Sequence, residues 1–416
     1  MSRSIEKNIQ LYPWLQFSSS LLGWLPVFFL YFSEFVSLSE VIKLGAIYYL
    51  AVCIVEVPSG YFSDRIGRRP TLLLASLAFI ASYGVFLTAS GFYSLALGQC
   101  LLALAIAMIS GTDTALLYDS LITKQQQQDY AYHEAKGQKY GMFALALACL
   151  GGGVLGLIDL RLAYVLSLVG AGWMLWIALQ ILEPEHMESD TRTRSFVVTL
   201  ARCIRHLSDK VLAWLFAVMV LMYCLEHIAY EFYQPYIRLL NLQWLATDSS
   251  SLISGVLIAI SMFGGSLGAA YSVSLYNRLG LKKLLFAAFA IQLLIIGGLS
   301  IVLHSLLLCL VIFRNFPMAM IHAPVNAEIG PRIGSSLRAT YLSLQSLSAR
   351  LVFSALLFTL SYSVDGENLE WKSLSLVLRQ ALGFGIVGSL IAIVVAPLIV
   401  HNRINNQVPE TRNPLQ

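Results

Sequence analysis

The chain has 416 residues, 57% of them hydrophobic and 12% charged, with a mean hydropathy of +0.72. Soluble domains carry about 25% charged residues, so a soluble enzyme, a disordered scaffold and a nucleic-acid binder are set aside, and a net charge of +4 is too small to indicate a polyanionic partner. The composition is that of an integral membrane protein with room for about twelve spans of about 20 residues.

Apolar stretches predict spans over Pro13–Phe32, Leu44–Gly60, Pro70–Ala89, Phe92–Leu117, Tyr140–Ile158 and Leu162–Leu182. A polar connection, Glu183–Lys210, separates these from a second set over Val211–Leu239, Leu252–Tyr276, Leu284–Leu303, Ser305–Ile329, Ala339–Tyr362 and Ala381–Val400. Stretches of this length must be helices, because backbone polar groups are satisfied internally in lipid and barrel strands would be about half as long. Arg3 and Lys7 precede the first run as in a signal peptide. The run continues to Phe32 without a small-residue cleavage site, so it is read as a retained span. Its aromatic residues Trp24, Phe28, Phe29 and Tyr31 fit a cavity wall, helix packing or an interfacial belt equally well.

Between spans two and three the chain reads Gly60-Tyr-Phe-Ser-Asp64-Arg65-Ile-Gly67-Arg68-Arg69-Pro70, and span four ends in Ser110-Gly111-Thr-Asp113-Thr-Ala115-Leu-Leu-Tyr118-Asp119-Ser120. Span five is rich in glycine (Gly141, Gly151, Gly152, Gly153, Gly156), which suits close helix packing. In the central connection Phe196, Val197, Leu200, Ile204 and Leu207 recur at helical spacing, which predicts an amphipathic helix on the membrane surface. Five cysteines lie in apolar runs and no metal-ligand spacing occurs, so no metal and no cofactor are expected.

Span seven concentrates polar groups on one face: Tyr223, Glu226, His227, Tyr230, Glu231, Tyr233 and Gln234, opposite Leu221, Leu225, Ile228 and Phe232. Between spans eight and nine, Asn277-Arg278-Leu279-Gly280 repeats the Asp64-Arg65-Ile66-Gly67 pattern about half a chain later, as a duplicated six-helix unit would. Arg314 in span ten and Arg350 in span eleven fall near mid-bilayer, where a charge costs at least about 2.5–3.5 kcal/mol unless it faces a cavity or a partner. These two arginines, with Glu226 and Glu231, suit either a structural salt bridge or substrate and proton coupling. Asp113 is the candidate protonatable group of the first half.

Of the 27 basic residues, twenty fall on the side of the termini and five on the other, apart from the two buried arginines. This places both termini in the cytoplasm. The expected domains are a first bundle over 1–182, a linker over 183–210 and a second bundle over 211–416.

The motif, the spans and the degraded second copy resemble the major facilitator superfamily of secondary transporters. Glu56-Val-Pro58-Ser-Gly60, the Ser110–Ser120 stretch and Arg338-Ala-Thr340-Tyr-Leu-Ser343 are similar to a bacterial, efflux-like branch of it. The resemblance implies an all-α fold of twelve transmembrane helices in two pseudo-symmetric six-helix bundles. It also implies a gate of Gly60, Asp64, Arg65, Gly67, Arg68, Arg69 and Asp119. There Gly60 permits close approach, Asp64 faces the N-terminal end of span eleven, and the arginines pair with Asp119 or Asp113. The arginine in span four and the Gly-Pro pair in span five that mark drug/proton antiporters are absent.

The expected protein is therefore not an enzyme. It is a monomeric, proton-coupled transporter of the bacterial inner membrane that moves a small organic solute, amphipathic or anionic, by alternating access and in the direction of export. Its partners are the solute, protons and the lipid bilayer, with no nucleic acid. The alternatives are an uptake permease for an anionic metabolite or siderophore, and a non-transporting membrane sensor. Glu226, His227, Tyr230, Glu231, Arg314, Arg350 and Asp113 are the candidates for substrate or proton coupling.

Overall fold

A computed structural model describes residues 5–184, 205, 207–244, 249–333, 335–364 and 369–395. The amphipathic helix expected in the central connection lies outside the described residues, apart from Leu207. Fourteen α-helices occur among the described residues. The first eight are α1 (Glu6–Ser19), α2 (Phe28–Phe32), α3 (Leu38–Ile66), α4 (Arg68–Leu87), α5 (Phe92–Ile109), α6 (Thr112–Thr123), α7 (Tyr130–Leu155) and α8 (Leu160–Gln180). The remainder are α9 (Lys210–Trp244), α10 (Ser250–Ile301), α11 (Leu308–Val311), α12 (Phe316–Ile329), α13 (Ser335–Ser361) and α14 (Trp371–Leu390).

Among the described residues ten helical stretches are long and apolar enough to cross a membrane, and two local features reconcile this with twelve spans. The 52-residue α10 is two spans meeting at Gly280, whose φ of 72° breaks the helix. The first span is interrupted between Ser19 and Phe28. At the interruption the backbone of Gly23 lies so close to Gly152 of α7 that a Cβ on Gly152 would collide with it. Span four is likewise split into α5 and α6 at Gly111, with φ 77°.

Three boundaries differ from the sequence reading. Helix α3 extends past Gly60 to Ile66, after an N-terminal capping box between Ser37 and Glu40. The motif read as a loop is therefore the end of α3 and the start of α4, joined at Gly67, whose φ of 116° favours glycine. The last span starts at Trp371 rather than Ala381, because Leu374, Val377, Leu378 and Ala381 form one buried face while Lys372 and Arg379 stay on the exposed one. Span seven, α9, runs on to Trp244.

Short connections make successive spans antiparallel. The end of the bundle where α1 begins is called the near end and the opposite one the far end. Helices α1–α8 and α9–α14 form two halves that touch along two seams. In the first, α3 and α13 run antiparallel: Ser39 Oγ donates to the Ser361 carbonyl at 2.8 Å, Ser354 Oγ to the Ala46 carbonyl at 2.8 Å, and Cys53 Sγ to the Leu347 carbonyl at 3.5 Å. Each step of seven residues along α3 is matched by seven in reverse along α13, the spacing of a coiled-coil seam. In the second seam, α7 and α10 meet near the far end. A Cβ at Gly153 would sit 2.8 Å from the Ser251 carbonyl oxygen, and one at Gly255 would collide with the Cys149 carbonyl.

Candidate functional site

At the near end, Arg68 organises an acidic cluster. Its guanidinium donates to Asp64 at 2.6 Å, Ser63 at 2.9 Å and Asp119 at 3.1 Å, so it ties α3, α4 and α6 together. Glu183, just past α8, accepts from the backbone N–H groups of Arg68 and Arg69, both at 2.7 Å. A carboxylate on the first N–H groups of a helix satisfies orphan donors and complements the helix dipole. Here it also offsets the two arginines that sit unfavourably at that end. A Cβ on Gly67 would lie 2.7 Å from the Glu183 carboxylate.

Several expectations are corrected here. Arg65 stacks over Tyr61 at 5.3 Å and has no acid within 4.0 Å among the described residues. Asp113 faces away from the arginines and accepts a 2.6 Å hydrogen bond from Gln16. A Cβ on Gly60 would meet nothing within 4 Å. The Asp64 side chain is 69% exposed and turned to Arg68. The reason is the conformation: among the described residues the bonds between the halves lie between the far end and the level of Glu56.

A cavity of about 310 Å³ lies between the halves above that level, at the lower limit of small-molecule sites. The first half contributes Trp24, Phe28 and Phe32 from span one, Tyr48 and Tyr49 from α3, and Gln99 from α5. The second half contributes Tyr223, His227, Tyr230 and Glu231 from α9, with Arg350 from α13. The predicted polar face of α9 is thus split. Tyr223, His227, Tyr230 and Glu231 line the cavity, and the candidate Glu226 is not among its lining residues. Tyr233 and Gln234 are buried in the closed far end, where Gln234 accepts from the Phe29 N–H at 3.0 Å and donates to the Leu25 carbonyl at 2.9 Å.

Three charged side chains act at this level in different ways. Arg350 forms an ion pair with Glu56 across the seam. The α3–α13 register would put Arg350 six residues from Glu56, so its long side chain slants about 9 Å toward the near end. Glu231 accepts from the Tyr49 hydroxyl at 3.1 Å. Arg314, only 7% exposed, has no carboxylate within 4.0 Å among the described residues and lies against the rings of Tyr230 at 4.9 Å and Tyr233 at 5.9 Å. The salt bridge of the deep arginines with Glu226 and Glu231, one of the two readings of the sequence, is not formed among the described residues. His227 stacks on Tyr223 at 3.8 Å between ring centroids, with Nδ1 bonded to the Tyr223 carbonyl at 3.0 Å. A carbonyl partner requires the proton on Nδ1.

Of the sequence candidates, the structure brings His227, Tyr230, Glu231 and Arg350 to the cavity wall and holds Arg314 behind Tyr230. Asp113 is placed elsewhere. Sequence reasoning missed Glu56 as the partner of Arg350, the pair Tyr48 and Tyr49, and the capping by Glu183. Glu56 carried a usable signal, a lone acid inside an apolar run. The tyrosines carried none.

A two-half helical bundle crossing a membrane, with a cavity between halves joined at one end, defines a secondary-transporter architecture. The sequence profile of the Major Facilitator Superfamily matches residues 14–357, and the chain belongs to that family. Solved structures with a similar fold include the nucleoside transporter NupG (D323A mutant), with a TM-score of 0.77, 12% identity and coverage of 94% of this chain and 99% of that one. A bacterial homologue of the human lysosomal transporter Spinster, in an inward-facing and unoccupied conformation, gives 0.67 at 15% identity over 99% and 98%. A D-xylose–proton symporter gives 0.64 at 13% identity over 93% and 96%. In sequence, the chain is 33% identical over 126 residues to the class E tetracycline resistance protein of Escherichia coli, a match spanning 29% of this chain and 28% of that relative.

Proposed function

We propose that the protein is a proton-coupled secondary active transporter that carries a small organic solute by rocking its two halves around the central cavity, with export the favoured direction. The proposal places it in the inner membrane as a monomer, with its near end and both termini in the cytoplasm. The observation that carries the reading is the cavity itself: its walls come from both halves, it is closed at the far end, and it holds the carboxylate of Glu231. Rocking would break the far-end bonds of Gln234 and Ser39 and bring Gly60 and Asp64 to α13. The Arg68 cluster would then act as the latch of the near end. The partial match to a tetracycline resistance protein supports export.

Flux in proteoliposomes with an imposed pH gradient tests this. Transport that follows the gradient and reverses with it is expected, and flux indifferent to the gradient defeats the coupling. A second reading, uptake of an anionic metabolite, is favoured by the guanidinium of Arg314, which lies against Tyr230 and Tyr233 and meets no carboxylate within 4.0 Å among the described residues. Inverted and right-side-out vesicles separate the two directions.

A further inference from the structure

In the interrupted first span, the sequence places Pro26 where a helix would begin. Proline suits the first helical position, because its missing N–H would be an orphan there and its φ is preset. A helix starting at Pro26 has Leu25 as its N-cap, and its first hydrogen bond runs from the Phe29 N–H to the Leu25 carbonyl. The structure does not have that bond. Helix α2 starts two residues later, at Phe28, and the side chain of Gln234 occupies the gap. Its Oε1 accepts from the Phe29 N–H at 3.0 Å and its Nε2 donates to the Leu25 carbonyl at 2.9 Å. An amide, with one acceptor and one donor side, matches an N–H and a C=O together. A buried side chain of the second half thus stands in for a backbone bond of the first. Its Nε2 also meets the Tyr233 hydroxyl at 3.0 Å, which shares a 2.8 Å hydrogen bond with Ser254.

When the halves part at the far end, Gln234 leaves with α9. The Leu25 carbonyl and the Phe29 N–H are then stranded, and unsatisfied backbone groups are costly inside a membrane. They stand one helical turn apart, so closing on each other removes that cost. Val27 must then leave its present φ of −125° for the helical value of about −63°. Its N–H also lets go of the Trp24 carbonyl, now held at 3.0 Å. Trp24 and Phe28 flank this turn and both line the cavity, and Phe28 stacks on Tyr230 of the other half at 5.7 Å. Resting on the transporter reading, we propose that Gln234 is a positioning residue: inserted in the first hydrogen bond of α2, it sets Trp24 and Phe28 for the solute, and its withdrawal winds α2 back to Pro26 and dismantles that wall. Opening of the far end and loosening of the solute become one step.

Fluorine magnetic resonance of the full-length protein carrying fluorotryptophan, in a background without native cysteines, tests the proposal. The Trp24 signal is assigned by Trp24→Phe. Cross-linked Ser39→Cys with Ser361→Cys holds the far end closed. With Gln234 present, Trp24 is expected at one position; with Gln234→Leu it is expected at a second, although the halves are still held together. The protein with Gln234 intact should reach that second position when Gly60→Cys with Thr340→Cys holds the near end closed. A residue that merely helped to hold the halves together would leave Trp24 at the first position in the cross-linked Gln234→Leu protein, and that result overturns the proposal. So does one Trp24 position shared by the two cross-linked forms with Gln234 intact. Should Gln234→Leu fail to fold, Gln234→Asn, whose amide is one methylene too short to reach both backbone groups, is read in its place. Proteoliposome flux separates this from the transporter reading. Two Trp24 positions without flux would sink transport and leave the switch, whereas flux with a single unmoved position would sink the switch and leave transport.

Discussion

Arg350 of α13 and Glu56 of α3 form an ion pair that crosses between the two halves at the near-end side of the cavity. Among the described residues neither charge has an ion-pair partner on its own helix, so each half carries half of the contact. Beyond this pair a Cβ on Gly60 of α3 would meet nothing within 4 Å among the described residues.

Removing one member strands the other. Breaking a fully buried pair costs about 3–5 kcal/mol, but these side chains are 24% and 21% exposed, and solvent screening lowers the figure to about 1–2 kcal/mol. Glu56→Gln and Arg350→Gln should each lower the thermal midpoint, and the double variant should lose less than the sum. A thermal-unfolding double-mutant cycle reads the coupling; strict additivity would show that the pair contributes nothing.

The α3–α13 register makes a prediction about the other conformation. Continued by seven residues from Cys53 and Leu347, it places Gly60 opposite Thr340. In a background without native cysteines, Ser39→Cys with Ser361→Cys should cross-link in the conformation described here. Gly60→Cys with Thr340→Cys should cross-link only when the near end closes. Mass spectrometry of the oxidised protein with and without solute checks the order. Simultaneous full cross-linking of both pairs would contradict rocking about the cavity.

Glu183 caps α4 with two short hydrogen bonds. Glu183→Ala should cost about 0.5–2 kcal/mol, the usual range for loss of a cap. Gly67→Ala should cost about 1–3 kcal/mol, since it adds a strained positive φ to a Cβ 2.7 Å from the same carboxylate. Thermal unfolding of the two variants measures both. An unchanged midpoint for Gly67→Ala would mean that the cap is not formed in solution.

At the far end α7 and α10 are in backbone contact, and Gly255 leaves no room for a Cβ against Cys149. Gly255→Leu should push the equilibrium toward the conformation open at the far end. Thiol labelling of Ser361→Cys should accelerate accordingly. Labelling that stays at the wild-type rate would argue that this seam does not control closure.

Transport itself should respond to the carboxylates of α9. Glu226→Gln and Glu231→Gln should remove the pH dependence of flux, measured in proteoliposomes over a range of imposed gradients. Retention of that dependence by both variants would move the proton site to another group, with Asp113 the next to test.

The sequence by itself determined the membrane class, the division into two sets of apolar runs and the family. Hydrophobic length and the need to satisfy every backbone polar group in lipid leave helices as the solution, and Gly60, Asp64, Arg65, Gly67, Arg68 and Arg69 stand at adjacent positions that one stretch of chain displays. The polar face of α9 was legible for the same reason, since helical periodicity alone brings Tyr223, His227, Tyr230 and Glu231 together. Pairings between distant segments were not. Glu56 and Arg350 are 294 residues apart, and which acid an arginine meets depends on how two helices from different halves register. Only the tertiary structure joined Arg350 to Glu56, set Arg314 on tyrosine rings in place of a carboxylate, and turned Asp113 to Gln16. It also decided the conformation. Whether Gly60 touches a neighbour is a property of how the halves are tilted, which no local stretch of sequence specifies.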